Sequence, residues 1–106
     1  MLRQEIESII QDVGEEFDCQ GNKYRGHFVR CGQKIPQQLK INADFMPQNA
    51  FFATLLITNE IIPLVGDEIA DMNAVCWVVD AITPLYDRGE VQGYYLVLRT
   101  NQGIMK

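Results

Sequence analysis

The stretch FFATLLIT, Phe51–Thr58, decides the fold, and VCWVVDAIT (75–83) and QGYYLVLRT (92–100) repeat its character. All three are short and rich in aromatic and β-branched residues, which favour strands. Turn-forming residues separate them, namely Gly66-Asp67, Asn73-Ala74 and the segment from Pro84 to Gly89. This spacing predicts an antiparallel sheet over about residues 51–100, folded as a small β-barrel or sandwich.

The N-terminal residues have a different period. Apolar side chains recur every three or four positions, at Leu2, Ile6, Ile9, Ile10, Val13 and Phe17. That pattern predicts an amphipathic helix over about residues 2–17. Gly14 costs about 1 kcal/mol inside a helix, so an end near residue 13 is the alternative. The segment YRGHFVR, between Lys23 and Cys31, then predicts a strand. The fold class is therefore mainly β with an N-terminal α-helix.

Residues 32–50, GQKIPQQLKINADFMPQNA, lack any apolar period and contain two prolines. They predict one long loop. A connection of this length is usually functional or mobile, although a surface excursion with a short strand at QLKIN is an equal alternative.

Length and composition narrow the class of protein. The 106 residues are enough for a single domain, and a hydrophobic share of 47% is that of a globular chain. No apolar run approaches the roughly 18 residues of a membrane span, and a net charge of −5 argues against a general nucleic-acid binder. Three cysteines without a CxxC pair favour free thiols in a reducing compartment.

Charge is divided into blocks. Residues 1–18 sum to −5, residues 19–43 to +5 and residues 44–106 to −5. Either the blocks lie on solvated faces whose signs average out, or a basic segment on one copy meets an acidic surface on a neighbour.

Signatures of catalysis are missing, and we expect no enzyme and no cofactor. Neither a glycine-rich phosphate loop nor GxSxG occurs, and Ser8 and His27 are the only serine and histidine. Asp67 and Glu68 are adjacent, so on a strand they point to opposite faces. Asp80 is expected on the face opposite Trp77, beside Ile82, where it could pair with Arg99 across the sheet.

Two non-catalytic binding functions stay open. Cys19, His27 and Cys31, with Cys76 as a fourth ligand, could in principle form a zinc site, but they lack the close ligand pairs of zinc motifs, and burial as small hydrophobic side chains is the favoured explanation of the cysteines. We therefore predict no metal. An OB-like barrel that binds nucleic acid would use the basic segment with Tyr24 and Phe28.

One family has a similar order of elements. The run LLITNEIIPLVGDEIADMNAVCWVVDAITPLYDRGEVQGYYLVL, residues 55–98, resembles the C-terminal half of the lambda-type phage head–tail joining (head-completion) proteins. The matching elements are Leu55–Thr58, Asn59–Glu60, Gly66-Asp67, Trp77–Ile82, Pro84, Gly89 and Tyr94–Leu98.

The resemblance implies structural work at the virion neck, after assembly in the bacterial host cytoplasm. The expected partners are a portal- or connector-side head protein and a tail-side protein, with self-association into a ring on that template. No membrane and no sequence-specific nucleic acid are expected. The predicted interface comprises Lys34, Gln37, Gln38, Lys40, Phe51, Asp67, Glu68 and Asp71.

Overall fold

A computed structural model describes residues 2–32 and 50–100. They form one helix and six strands: α1 Leu2–Val13, β1 Glu15–Cys19, β2 Asn22–Gly32, β3 Phe51–Thr58, β4 Glu68–Ala70, β5 Cys76–Asp87 and β6 Glu90–Thr100. The strands pair antiparallel in the order β1-β2-β3-β6-β5-β4, and β4 pairs back to β1 to close a barrel. This confirms the predicted mainly-β class with an N-terminal helix, and the barrel rather than the sandwich.

Alternate residues of the long strands fill the barrel. Leu55 and Ile57 of β3 and Leu96 and Leu98 of β6 belong to one buried cluster, which also contains the fully buried Trp77 of β5. Because strand side chains alternate between faces, this inward row fixes the other row as outward. The structure therefore places Leu55, Ile57, Leu96 and Leu98 on the inward faces of β3 and β6.

The helix is shorter than the predicted range of residues 2–17. It ends at Val13, and a Cβ atom on Gly14 would lie within 2.3 Å of the Ile10 carbonyl oxygen. Phe17 has a helical spacing from Val13, but it is an inward residue of β1 and pairs with Tyr24 of β2. The helical spacing of apolar residues therefore continues to Phe17, but the helix itself ends before Gly14, at the alternative end predicted near residue 13.

Helix α1 packs against β3, β2 and β6. Its buried side chains are Ile6 and Ile10, and Ile6 reaches Gly93, where an added Cβ would lie 3.0 Å from the isoleucine Cδ1. Gly93 alternates with the inward Tyr94, so the helix covers part of the outer surface of the barrel. Within the described ranges, no helix has the length and apolar character needed to cross a membrane.

The turn between β5 and β6 is shorter than predicted. The turn predicted from Pro84 to Gly89 is wrong at its start: β5 continues to Asp87, and Arg88 and Gly89 make the turn with φ of 55° and 81°. Pro84 is tolerated because β4 pairs with β5 only at residues 76–78, so in the described chain this part of β5 pairs on one side only.

The predicted long loop of residues 32–50 falls outside the described residues, except for its two ends: Gly32 ends β2, and Ala50 is buried.

Candidate protein interface

The connection between β3 and β4 presents three exposed apolar side chains. Ile62, Leu64 and Val65 are 70%, 61% and 66% exposed, whereas Ile61 and Pro63 are buried. We call Ile62, Leu64 and Val65 the apolar knob. Exposed aliphatic side chains that are clustered, rather than scattered singly, mark sites of protein contact.

The knob is held in place by hydrogen bonds at its C-terminal side. The Asp67 carboxylate accepts from the Leu64 amide at 2.9 Å, and the Asp67 amide donates to the Leu64 carbonyl at 3.0 Å. The Gly66 amide donates to the Val79 carbonyl, and the Val79 amide to the Asp67 carbonyl, both at 2.9 Å. Gly66 has φ of 97°, a conformation that side-chain-bearing residues rarely adopt. The loop is thereby fastened to β5 on the C-terminal side of the knob, which lowers the entropy cost of binding.

A cleft of about 450 Å³ lies between α1, β2 and the start of this loop. Its lining includes Ile10, Tyr24, Arg25, Thr58 and Glu60. Glu60 is two residues before the knob, so the cleft borders the loop that carries it.

The predicted interface residues are divided by the structure. Lys34, Gln37, Gln38 and Lys40 lie outside the described residues. Phe51 is half-buried at the start of β3, opposite Thr100. Glu68 is exposed on β4 just after the knob, whereas the Asp67 carboxylate caps the loop as described above.

Among the predicted interface residues, Asp71 is buried in this chain. Its side chain has no exposed surface and accepts four hydrogen bonds. One oxygen accepts from the amides of Asn73 at 2.9 Å and Val75 at 3.0 Å, and the other from the Trp77 indole at 3.0 Å and the Arg30 guanidinium at 3.3 Å. The turn needs an acceptor for its amides, and the buried indole needs one for its N–H.

The charge of Asp71 is stabilised by these donors. Burial on its own would raise the pKa of Asp71, but the hydrogen bonds from Trp77, Val75, Asn73 and Arg30 outweigh it and lower the pKa. Arg30 also binds both oxygens of Glu15 at 2.9 Å, and its guanidinium carbon lies 5.0 Å from the Phe28 ring centre. The hydrogen bonds to Glu15 raise the pKa of Arg30, so it stays charged. We call Glu15, Arg30, Asp71 and Trp77 the Asp71 network.

The predicted pair of Asp80 and Arg99 is present, with 3.4 Å between Oδ2 and Nε. The expectation that Ile82 shares their face is wrong. A bulge between Val79 and Ala81 inserts one residue, so Ile82 returns to the inward row and packs on the main core. Burial raises the pKa of Asp80, and Arg99 offsets part of that effect.

The proposed zinc ligands are separated by the strand alternation. Cys19 is buried inside the barrel, while Cys31 packs on a second cluster formed by Ala50, Phe52 and Val97. In residues 2–32 and 50–100, no three His, Cys, Asp or Glu side chains form a group that could hold a metal. Burial raises the pKa of the Cys19 thiol, which disfavours the thiolate that binds metals.

The rings considered for nucleic-acid stacking belong to the core. Phe28 is buried and packs edge-on against Phe17 at 6.0 Å, and Tyr24 lies 5.8 Å from the same ring. Both rings pack on Phe17, so these two rings do not form an exposed stacking surface.

The sequence reasoning missed the knob. The run IIPLV looks like core material, and only Pro63 and the Gly66-Asp67 pair indicated that it leaves the sheet. Comparison with known proteins adds no assignment, because no family model, curated protein or solved structure matches the chain. The displayed apolar knob is therefore the feature on which a functional assignment depends.

Proposed function

We propose that this chain is a structural protein of a phage or prophage virion that completes the head connector and provides the surface on which the tail docks. The observation that carries the proposal is the apolar knob. A fully buried aliphatic side chain contributes about 1.5–3 kcal/mol, so three such side chains can anchor a protein contact. The ordered loop reduces what binding must spend on fixing the chain.

The resemblance of residues 55–98 to head–tail joining proteins supports the same assignment. The partners are then a portal- or connector-side head protein and a tail-side protein, with copies of this chain assembled as a ring on the connector at the virion neck. Repetition around a ring makes weak single contacts sufficient, because each bound copy raises the effective concentration of the next contact.

The buried and capping carboxylates agree with a non-enzymatic role. Asp71 accepts the hydrogen bonds of its network, the Asp67 carboxylate accepts from the Leu64 amide, and Asp80 forms an ion pair with Arg99. Each of these acids has a structural partner, so none is held ready for proton transfer to a substrate.

The test uses tail-less particles from a strain that lacks this gene. Purified protein is added, bound protein is measured by co-sedimentation, and tail joining is counted by electron microscopy. We expect Leu64→Asp to prevent binding or tail joining, because it places a charge in the contact. Met72→Asp is the matched control, since Met72 is 65% exposed and lies on a turn outside the knob. Full joining by folded Leu64→Asp protein, or no joining by the wild type, contradicts the proposal.

A further inference from the structure

In the sequence, the apolar knob is flanked by charge of one sign, whereas in space Arg25 also lines the cleft beside Glu60. From Ala50 to Asp87 the sequence contains six carboxylates and no lysine or arginine. Glu60 lies two residues before the knob and Glu68 three residues after it, and both are exposed. An incoming surface therefore meets aliphatic side chains flanked by negative charge.

Most cations in the described part of the chain are already used. Four of its six lysine and arginine side chains form ion pairs within the chain, namely Arg3 with Glu7, Lys23 with Asp18, Arg30 with Glu15 and Arg99 with Asp80. A fifth, Arg25, donates to the Gly14 carbonyl at 2.9 Å. The described part of the chain also contains thirteen aspartate and glutamate side chains. The described surface of a second copy is thus acidic, and it would repel the acidic flanks of the knob.

We propose that the knob docks into an apolar pocket bordered by lysine or arginine on a different protein, and that it is not a contact between copies of this chain. The inference rests on the proposed function for the role of the knob and adds the chemistry of its partner. Aliphatic burial supplies the affinity, while Glu60 and Glu68 select a cationic rim and speed the encounter. Contacts between copies in a ring then involve other surfaces.

The variant Glu60→Gln/Glu68→Gln tests the electrostatic part, because it removes two charges and leaves the knob intact. Its matched control is Glu5→Gln/Glu90→Gln, which makes the same change at two exposed positions on α1 and at the β5–β6 turn. The probes are the tail-less particles and purified tails of the proposed function. Leu64→Asp identifies whether the knob is needed for binding to the particles or for joining of the tail. The association rate of that step is then measured at salt concentrations from low to physiological.

We expect the wild-type association rate to fall as salt is raised. The knob-flank variant should associate roughly tenfold more slowly at low salt and depend less on salt. The control should behave like the wild type. Equal rates and equal salt dependence for the two double variants overturn the inference, and so does faster association of the knob-flank variant.

Sedimentation of the free protein tests the alternative partner. We expect no self-association that depends on Leu64, and a dimer that Leu64→Asp dissociates would instead assign the knob to a second copy. The two proposals can fail separately. If Leu64→Asp blocks joining but charge removal has no effect, only the cationic rim is wrong. If Leu64→Asp has no effect on joining, the proposed function of the knob is wrong.

Discussion

Replacing Asp71 with asparagine should destabilise the barrel far more than a surface substitution. Asparagine keeps one oxygen but puts an amide donor where the second oxygen accepts from Trp77 and Arg30. The indole N–H of a fully buried tryptophan then lacks an acceptor, which costs about 1–3 kcal/mol. The lost charge-assisted bond from Arg30 adds to this, although Glu15 still holds the guanidinium. We expect a loss of about 3 kcal/mol in the free energy of unfolding, or roughly 12–24 °C in Tm.

The assay is urea and thermal unfolding, with Lys23→Ala as the control. That change breaks an ion pair whose side chains are 72% and 53% exposed, and such pairs contribute about 0.2–1 kcal/mol. If Asp71→Asn costs no more than Lys23→Ala, the Asp71 network does not stabilise the fold and the reasoning is refuted.

The same variant has a predicted dependence on pH. Since folding lowers the pKa of Asp71, its stabilisation is complete above the unfolded pKa, near 4, and is lost as pH falls through the lower folded value. The stability difference between wild type and Asp71→Asn should therefore shrink below about pH 4. A difference that stays constant to pH 2 would show that the charge of Asp71 contributes nothing.

Two further predictions concern the sheet. Because folding raises the pKa of Asp80, ionisation of this carboxyl opposes folding as pH rises through that pKa. The free energy of unfolding of Asp80→Asn, measured in urea relative to wild type, should therefore be higher at pH 7 than at pH 3. The opposite order would contradict the effect of burial on Asp80. Gly93→Ala should cost about 1–3 kcal/mol or more, because the added Cβ would lie 2.4 Å from the Ile57 carbonyl oxygen. Gly89→Ala is the comparison: it has open space but φ of 81°, so it should cost about 1–2 kcal/mol, and thermal unfolding that ranks it above Gly93→Ala would contradict the close approach.

The long strands could be predicted from sequence because each is rich in aromatic, aliphatic and β-branched residues and is bounded by turn-forming residues. The inward faces of β3 and β6 could not be read from these runs, since neighbours such as Phe52 and Ala53 are both buried. The five residues of β1 offer only Phe17 and Cys19 as buried positions, and Phe17 also continued the helical spacing. A short strand beside a helix is therefore ambiguous until its partner strand is known.

The candidate site was less predictable because exposure there depends on tertiary contacts. The run IIPLV alone does not indicate that Ile61 is buried while Ile62 is exposed; the difference arises because Ile61 packs in the main core cluster. Asp71 shows the opposite case. A carboxylate in an acidic stretch is expected at the surface, but Asp71 is buried because it accepts hydrogen bonds from the turn amides and the Trp77 indole.

The loop that carries the knob and the Asp71 network are both attached to β5. The barrel closes between β1 and β4 through two residue pairs only, Asp18 with Ala70 and Cys19 with Ile69. Arg30 reinforces this narrow seam because it joins β2 to Glu15 of β1 and to Asp71 beyond β4. The loop that carries the knob is attached to β5 at Val79, just beyond its pairing with β4 and two residues from Trp77 of the Asp71 network. Under the proposed function we therefore expect Asp71→Asn to weaken joining even at temperatures where the variant is folded.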